Sequence, residues 1–190
     1  MILTAAHCLR DNTTGEWYDE FDFRLQYDRG RYSQAYTWQC VATKQGWVSD
    51  DGDQWKWDIG MILTRANSRT GDFGYHYGWS EGEYRTVPKI GYPADILDGE
   101  VIQVDSGPIF FPEGEDYEFV GLRHGNRRNA GGSSGGAWVG NYRNRFGANN
   151  NFVISITSHS RGNDTSTSYG PYLTAVNFKS LLDYTSRGCR

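Results

Sequence analysis

Short strand-like segments separated by turn-forming residues recur along this chain of 190 residues. Apolar and polar side chains alternate over 21–27, and 59–63 is a brief apolar run that fits a buried strand. Similar patterns predict strands at 38–47, 87–92, 101–104, 119–122, 137–140 and 152–157. One helix is predicted over 175–184, with Thr174 or Asn177 as its cap. Many short strands followed by a helix favour an antiparallel barrel or sandwich.

Composition supports an all-β fold and excludes some classes of function. Aromatic residues make up 15% of the chain and there are 24 glycines. The net charge is −4, and the basic residues are scattered except for Arg123, Arg127 and Arg128, which argues against a nucleic-acid partner. No apolar run is long enough to cross a bilayer, so no membrane association is predicted.

Three local motifs carry the residues of acyl-transfer chemistry, in the order histidine, aspartate, serine. They are LTAAHC at 3–8, WDIGMIL at 57–63 and GGSSGGAW at 131–138. A serine hydroxyl needs a base such as an imidazole, and the imidazole needs a carboxylate to hold its tautomer. The motifs therefore predict a catalytic triad of His7, Asp58 and Ser134.

Asp58 is preferred over its acidic neighbours Asp50, Asp51 and Asp53. Those three lie in a hydrophilic turn, whereas Asp58 precedes an apolar run and is expected to be buried at the start of a strand. Glycines around Ser134 allow close backbone approach, so the N–H groups of Gly132 and Ser134 are predicted to form an oxyanion hole.

The three motifs and their order resemble those of the chymotrypsin-like serine peptidases. The segment GYPAD at 91–95 is similar to a turn of the bacterial and fungal branch typified by glutamyl endopeptidase. The resemblance implies two antiparallel six-stranded β-barrels, a triad in the cleft between them, and peptide-bond hydrolysis through an acyl-enzyme without metal or cofactor. It also implies a secreted monomer that acts on protein or peptide substrates.

The chain departs from this family at its start, where Met1 and Ile2 lead directly into the histidine motif. A signal peptide and the first strands are therefore expected to be absent, and the first barrel to be N-terminally incomplete. The predicted organisation is one peptidase domain over 1–190, with the rest of the first barrel at 1–75 and the second barrel and helix at 84–190.

Four residues are predicted to bind substrate. By the resemblance, Thr157 occupies the position of a pocket histidine in the glutamyl branch, and Ser158 borders an extended substrate. His159 is expected to line the cleft. Arg128, or its neighbour Arg127, lies near the expected base of the pocket, where it could favour an acidic side chain.

Three cysteines leave at least one without a partner inside this chain. The resemblance favours a disulfide between Cys8 and Cys40. The alternative pairs Cys8 with a cysteine upstream of the chain. Cys189 is then free or joined to a partner outside the chain.

Two other kinds of function compete with an endopeptidase. A non-catalytic binding protein or an inert fragment could have the same fold. An ester hydrolase of the α/β-hydrolase class has a Gly-x-Ser-x-Gly motif, which 132–136 matches. That class has its serine before the acid and the histidine, the reverse of the order here.

Overall fold

Two β-sheets form the framework of the computed structural model, which describes residues 1–49, 54–68, 70–114, 118–126, 131–143 and 150–190. The first sheet is antiparallel and open, and its strands lie in the order β1-β4-β3-β2. It corresponds to half of a barrel, as expected for an incomplete first barrel. Its strands are β1 (Ile2–Thr4), β2 (Asp22–Leu25), β3 (Gln34–Thr43) and β4 (Gly60–Thr64).

The second sheet has eight strands in the order β11-β12-β8-β7-β6-β9-β10-β5. All neighbours are antiparallel except β5 and β10. The side chains of Val87, Leu122, Trp138 and Ile154 fill its core. The strands are β5 (Gly74–Tyr75), β6 (Thr86–Gly91), β7 (Gln103–Phe110), β8 (Phe119–Arg123), β9 (Ala137–Gly140), β10 (Phe152–Ile156), β11 (His159–Arg161) and β12 (Asp164–Pro171). The prediction of an all-β protein with a helix near its end is confirmed.

The helix follows the second sheet in sequence but packs on the first. Thr174 caps it, because its Oγ1 accepts from the Asn177 amide at 3.1 Å while Asn177 Oδ1 accepts from the Thr174 amide at 2.7 Å. A π-helical turn over Ala175–Lys179 leads into α1 (Ser180–Ser186). Phe178 and Leu181 pack against Ala42, Ile59 and Met61 of the first sheet. Within the described ranges, no helix is long and apolar enough to span a membrane.

The predicted Cys8–Cys40 disulfide is wrong, because Cys40 is joined to Cys189 instead. Packing of α1 on the first sheet returns the chain to β3, which puts the Cα atoms of Cys40 and Cys189 6.3 Å apart. Cys8 forms no disulfide within the described residues. It packs instead against the small apolar cluster of Ala5, Val153 and Ile156.

A polar cluster that the sequence did not reveal lies inside the second sheet. Lys89 of β6 is 0% exposed, and its Nζ donates to Ser168 Oγ of β12 at 2.9 Å. Ser168 Oγ also lies 3.0 Å from Nε2 of His124. Burial lowers the pKa of Lys89 to about 8, although the charge of Asp105 opposes this shift. The core of this sheet therefore contains an ammonium group that releases its proton in a mildly alkaline range.

Replacing Lys89 by methionine is expected to remove a pH dependence of stability. Between about pH 8 and the ordinary pKa of 10.5, Lys89 is neutral in the folded protein and charged in the unfolded chain. The unfolded chain then binds more protons, so the free energy of unfolding rises with pH, by roughly 3 kcal/mol over the interval. Denaturant unfolding of the wild type and Lys89→Met at several pH values measures the difference. If the free energy of unfolding changes with pH equally in both proteins, this pH dependence does not come from Lys89.

Candidate active site

His7 is held beside Asp58 because the strands that lead to them are paired. Thr4, at the end of β1, lies opposite Gly60, at the start of β4. Ala5 and Ala6 are fully buried, and their small side chains let a tight turn form over 6–8. The turn presents the His7 ring to the carboxylate: Nδ1 lies 2.8 Å from Asp58 Oδ2, and the His7 backbone N–H donates to Asp58 Oδ1 at 2.9 Å.

Asp58 is 0% exposed, which confirms the predicted burial at a strand start. Besides its two bonds from His7, it accepts a third hydrogen bond, from Ser158 Oγ to Oδ2 at 2.5 Å. Carboxylate oxygens accept hydrogen bonds, so three donors account for the polar contacts of this buried group. Asp58 therefore fixes a proton on Nδ1 of His7 and leaves Nε2 to exchange protons with another group.

The pKa of His7 is raised to about 10. Burial, the largest effect, lowers it, but the hydrogen bond and charge of Asp58, together with the neighbouring Cys8 thiol, outweigh that effect. An imidazolium beside a buried carboxylate is strongly favoured. The site is thus built to stabilise a positively charged His7, the form that follows proton transfer from a nucleophile.

Ser134 lies in a turn that is fixed to both sheets. Gly135 donates from its backbone N–H to Thr157 O at 2.8 Å, and Thr157 donates in turn to Gly136 O at 2.9 Å. The backbone of Gly135 has φ +75°, and a side chain there would overlap Thr4 Oγ1, at the end of β1. Ser134 therefore lies next to a residue that packs against the strand leading to His7.

Two backbone amides of the same turn have no acceptor among the described residues. Gly132 has φ +78°, and a Cβ there would lie 2.7 Å from the Ala94 amide nitrogen, so only glycine fits. In the part of the chain that the structure describes, the N–H groups of Gly132 and Ser134 donate to no protein atom. Over the same residues, Ser134 Oγ forms no hydrogen bond to His7, a contact that often tightens only when substrate binds.

The other predicted site residues divide into three groups. Thr157 is 3% exposed, and its Oγ1 accepts from Trp138 Nε1 at 3.0 Å, so this hydroxyl is part of the interior. Ser158, which follows β10, bonds Asp58, and His159, the first residue of β11, contacts Ser158. Arg128 and Arg127 lie outside the described residues, as do Asp50, Asp51 and Asp53.

The contact of Ser158 with Asp58 is the feature of this site that sequence reasoning missed. The sequence placed Ser158 along the substrate, but its hydroxyl bonds Asp58, which lies 100 residues earlier in the chain. No local pattern signals such a pair. No group of three or more acidic, histidine or cysteine side chains suited to a metal ion occurs in the described ranges.

Comparison with solved structures identifies the fold. The crystal structure of the protease Anisep from Arthrobacter nicotinovorans is similar, with a TM-score of 0.78 and 23% sequence identity over 99% of this chain and 83% of that one. A thermostable serine protease from an extremophilic microorganism has a TM-score of 0.76 and 21% identity, over 97% and 83% of the two chains. A Glu endopeptidase has a TM-score of 0.78 and 17% identity, over 97% and 80%.

No family model matches the sequence, and a comparison with curated proteins finds no match either. The likeness to solved structures therefore concerns the fold, and it agrees with the fold that the sequence motifs implied. The chain has the chymotrypsin-like architecture, and the three solved structures compared above are those of a protease, a serine protease and a Glu endopeptidase.

Proposed function

We propose that this chain is a serine endopeptidase that hydrolyses peptide bonds through an acyl-enzyme. The observation that carries the proposal is the bond between His7 and a fully buried Asp58, next to a serine turn in which two amides have no acceptor among the described residues. Each of these features has a role in acyl transfer. The order of the three residues and the fold of the solved relatives agree with it.

The proposed reaction has two stages. Ser134 Oγ attacks the scissile carbonyl carbon as His7 Nε2 takes its proton, and the N–H groups of Gly132 and Ser134 bind the resulting oxyanion. His7, held by Asp58, then gives that proton to the leaving amine, and the acyl group stays on Ser134. A water molecule attacks the acyl-enzyme, His7 takes its proton, and return of that proton to Ser134 Oγ releases the acid.

The substrate is proposed to be an extended peptide or an unfolded protein segment. Strand β11 is an edge of the second sheet and begins at His159, directly after Ser158. An edge strand offers unpaired backbone groups to which an extended chain can add. The side chains of the bound peptide would then lie near the residues predicted to bind substrate.

Secretion is proposed because the protein contains a disulfide. The Cys40–Cys189 bond is typical of proteins that mature in an oxidising compartment. Residues from both sheets meet at His7, Asp58 and Ser158, so we treat 1–190 as one catalytic unit. That the protein acts as a monomer stays a prediction.

Labelling with a fluorophosphonate probe tests the proposed function. The probe is expected to label the wild type and Ser186→Ala, which removes an exposed hydroxyl in α1, and not Ser134→Ala. The labelled protein should also have lost its ability to degrade an unfolded protein substrate. Equal labelling of Ser134→Ala, or a folded wild type that does not label, contradicts the proposal and favours a binding protein or an inert fragment.

A further inference from the structure

His159 touches Ser158, which itself touches Asp58. Ser158 Oγ lies 2.5 Å from Asp58 Oδ2 and 3.1 Å from His159 Nδ1. These two contacts join the second histidine to the carboxylate that orients His7. Both contacts lie in a region of low solvent access, because Asp58 is fully buried and Ser158 is 6% exposed.

Counting protons fixes the direction of both bonds. Ser158 has one hydroxyl proton, and an ionised Asp58 can only accept, so Ser158 donates to Asp58. The bond between Ser158 and His159 then requires that Nδ1 of His159 is the donor. His159 must therefore have a proton on Nδ1, whether its ring is neutral or charged.

Aromatic side chains hold the His159 ring in the orientation that makes this bond. The Trp55 ring lies 4.4 Å from it between centroids, and the Tyr169 ring is stacked at 5.6 Å with an interplanar angle of 19°. Phe119 contacts it edge-on at 6.0 Å. His159 and Tyr169 are also directly opposed across β11 and β12. Rotation of the imidazole away from Ser158 would break these contacts.

The same aromatic array reaches His7 from the other side. Trp55 contacts Trp47 at 5.9 Å, and Trp47 lies 6.3 Å from the His7 ring. Trp47 is itself fixed by a hydrogen bond of 2.7 Å from its Nε1 to Arg10 O. The two histidines are thus placed by one set of rings and joined through Ser158 and Asp58.

We infer that His159 is a positioning residue of the active site, which acts by donating its Nδ1–H to Ser158 and so directs the Ser158 hydroxyl to Asp58. The inference rests on the proposed function. A donor to Ser158 Oγ polarises its O–H and strengthens the bond to the carboxylate, as successive hydrogen bonds do in a low-dielectric interior. Asp58 is thereby held in the one orientation that keeps the proton of His7 on Nδ1. In this proposal His159 acts through Ser158 and Asp58 and not on a reacting atom.

The test compares His159→Phe, which keeps an aromatic ring but has no donor, with His159→Asn, whose side-chain N–H can replace Nδ1. The measurement is the rate at which diisopropyl fluorophosphate modifies Ser134, because this small reagent does not occupy an extended peptide site. The rate should fall about tenfold in His159→Phe, the loss of roughly one hydrogen bond, and recover in His159→Asn to within about threefold of the wild type. His76→Phe, at a histidine bonded to Tyr84 instead, is the matched control and should react at the wild-type rate.

A double variant that combines His159→Phe with Ser158→Ala tests whether His159 acts through Ser158. If His159 acts through Ser158, adding His159→Phe to the Ser158→Ala variant causes no further loss of rate. A general disturbance of folding would instead lower the rate in both backgrounds. A wild-type rate in His159→Phe with an altered KM for peptides overturns the inference, because His159 is then only a wall of the substrate groove. Failure of the wild-type protein to react at Ser134 refutes the proposed function instead, and the inference with it.

Discussion

Replacing Asp58 by asparagine is expected to lower kcat for peptide hydrolysis about 10⁴-fold while leaving the fold intact. The reason is the arrangement of donors around the carboxylate. The backbone N–H of His7 requires an acceptor at the Oδ1 position, so the amide oxygen of the introduced asparagine takes that place. The NH₂ group then occupies the Oδ2 position and faces Nδ1 of His7. His7 must accept there, its proton moves to Nε2, and it can no longer take the proton of Ser134.

The pH dependence of kcat/KM gives a second measurement of the same change. Neutral His7 is the active form, and its pKa is raised to about 10 in the presence of Asp58, so the wild-type activity should climb through the alkaline range. Without the carboxylate, burial still lowers the pKa of His7 and only the contribution of Cys8 still raises it, so the residual activity should reach its plateau at lower pH.

Asp22→Asn is the matched control, because Asp22 is an exposed carboxylate paired with Arg24 in β2. It should leave both kcat and the pH profile unchanged. If Asp58→Asn retains a tenth or more of the wild-type kcat, or shares its pH profile, then Asp58 does not orient the catalytic base.

Replacing Cys40 and Cys189 together by serine is expected to lower the free energy of unfolding by about 2–5 kcal/mol. The disulfide closes a loop between residues 149 positions apart, which restricts the unfolded chain strongly. It also fastens the segment after α1 to β3, where Phe178 and Leu181 cover the first sheet. Denaturant unfolding of the oxidised wild type and the double variant measures the loss.

Cys8→Ser provides the comparison for this experiment. Cys8 is partly buried and forms no disulfide among the described residues, so its replacement should cost less than the loss of the Cys40–Cys189 bond. A double variant as stable as the wild type, or a Cys8→Ser protein that loses as much, would mean that the disulfide is not the one that the structure contains.

The sequence predicted those parts of the site whose signals are local. Burial of Asp58 followed from the apolar run after it, and the cap at Thr174 followed from the residue type at the start of the helix. Glycines around Ser134 predicted close approach of the backbone, and at Gly132 and Gly135 an added side chain would indeed meet neighbouring atoms. Each of these features is determined by a few neighbouring residues.

The missed features depend on contacts between distant segments. Strand β12 went unpredicted because its polar side chains do not alternate with apolar ones, and Ser168 is buried there as a partner of Lys89 and His124. The Cys40–Cys189 pairing depends on where α1 packs, and the bond of Ser158 to Asp58 depends on how the two sheets meet. No local sequence pattern predicts either contact.

The packing of 175–186 on the first sheet determines at what stage of its synthesis the protein can complete this sheet. Strands β1 to β4 come before the helix in the sequence, but the apolar cluster that contains Ala42, Ile59 and Met61 is completed by Leu173, Phe178 and Leu181. Because a domain needs its whole core to fold, this sheet is complete only after residues 173–181 have been made. Asp58 and His7 therefore come under their final constraints only at that stage, so the proposed catalytic site is not assembled on a shorter nascent chain.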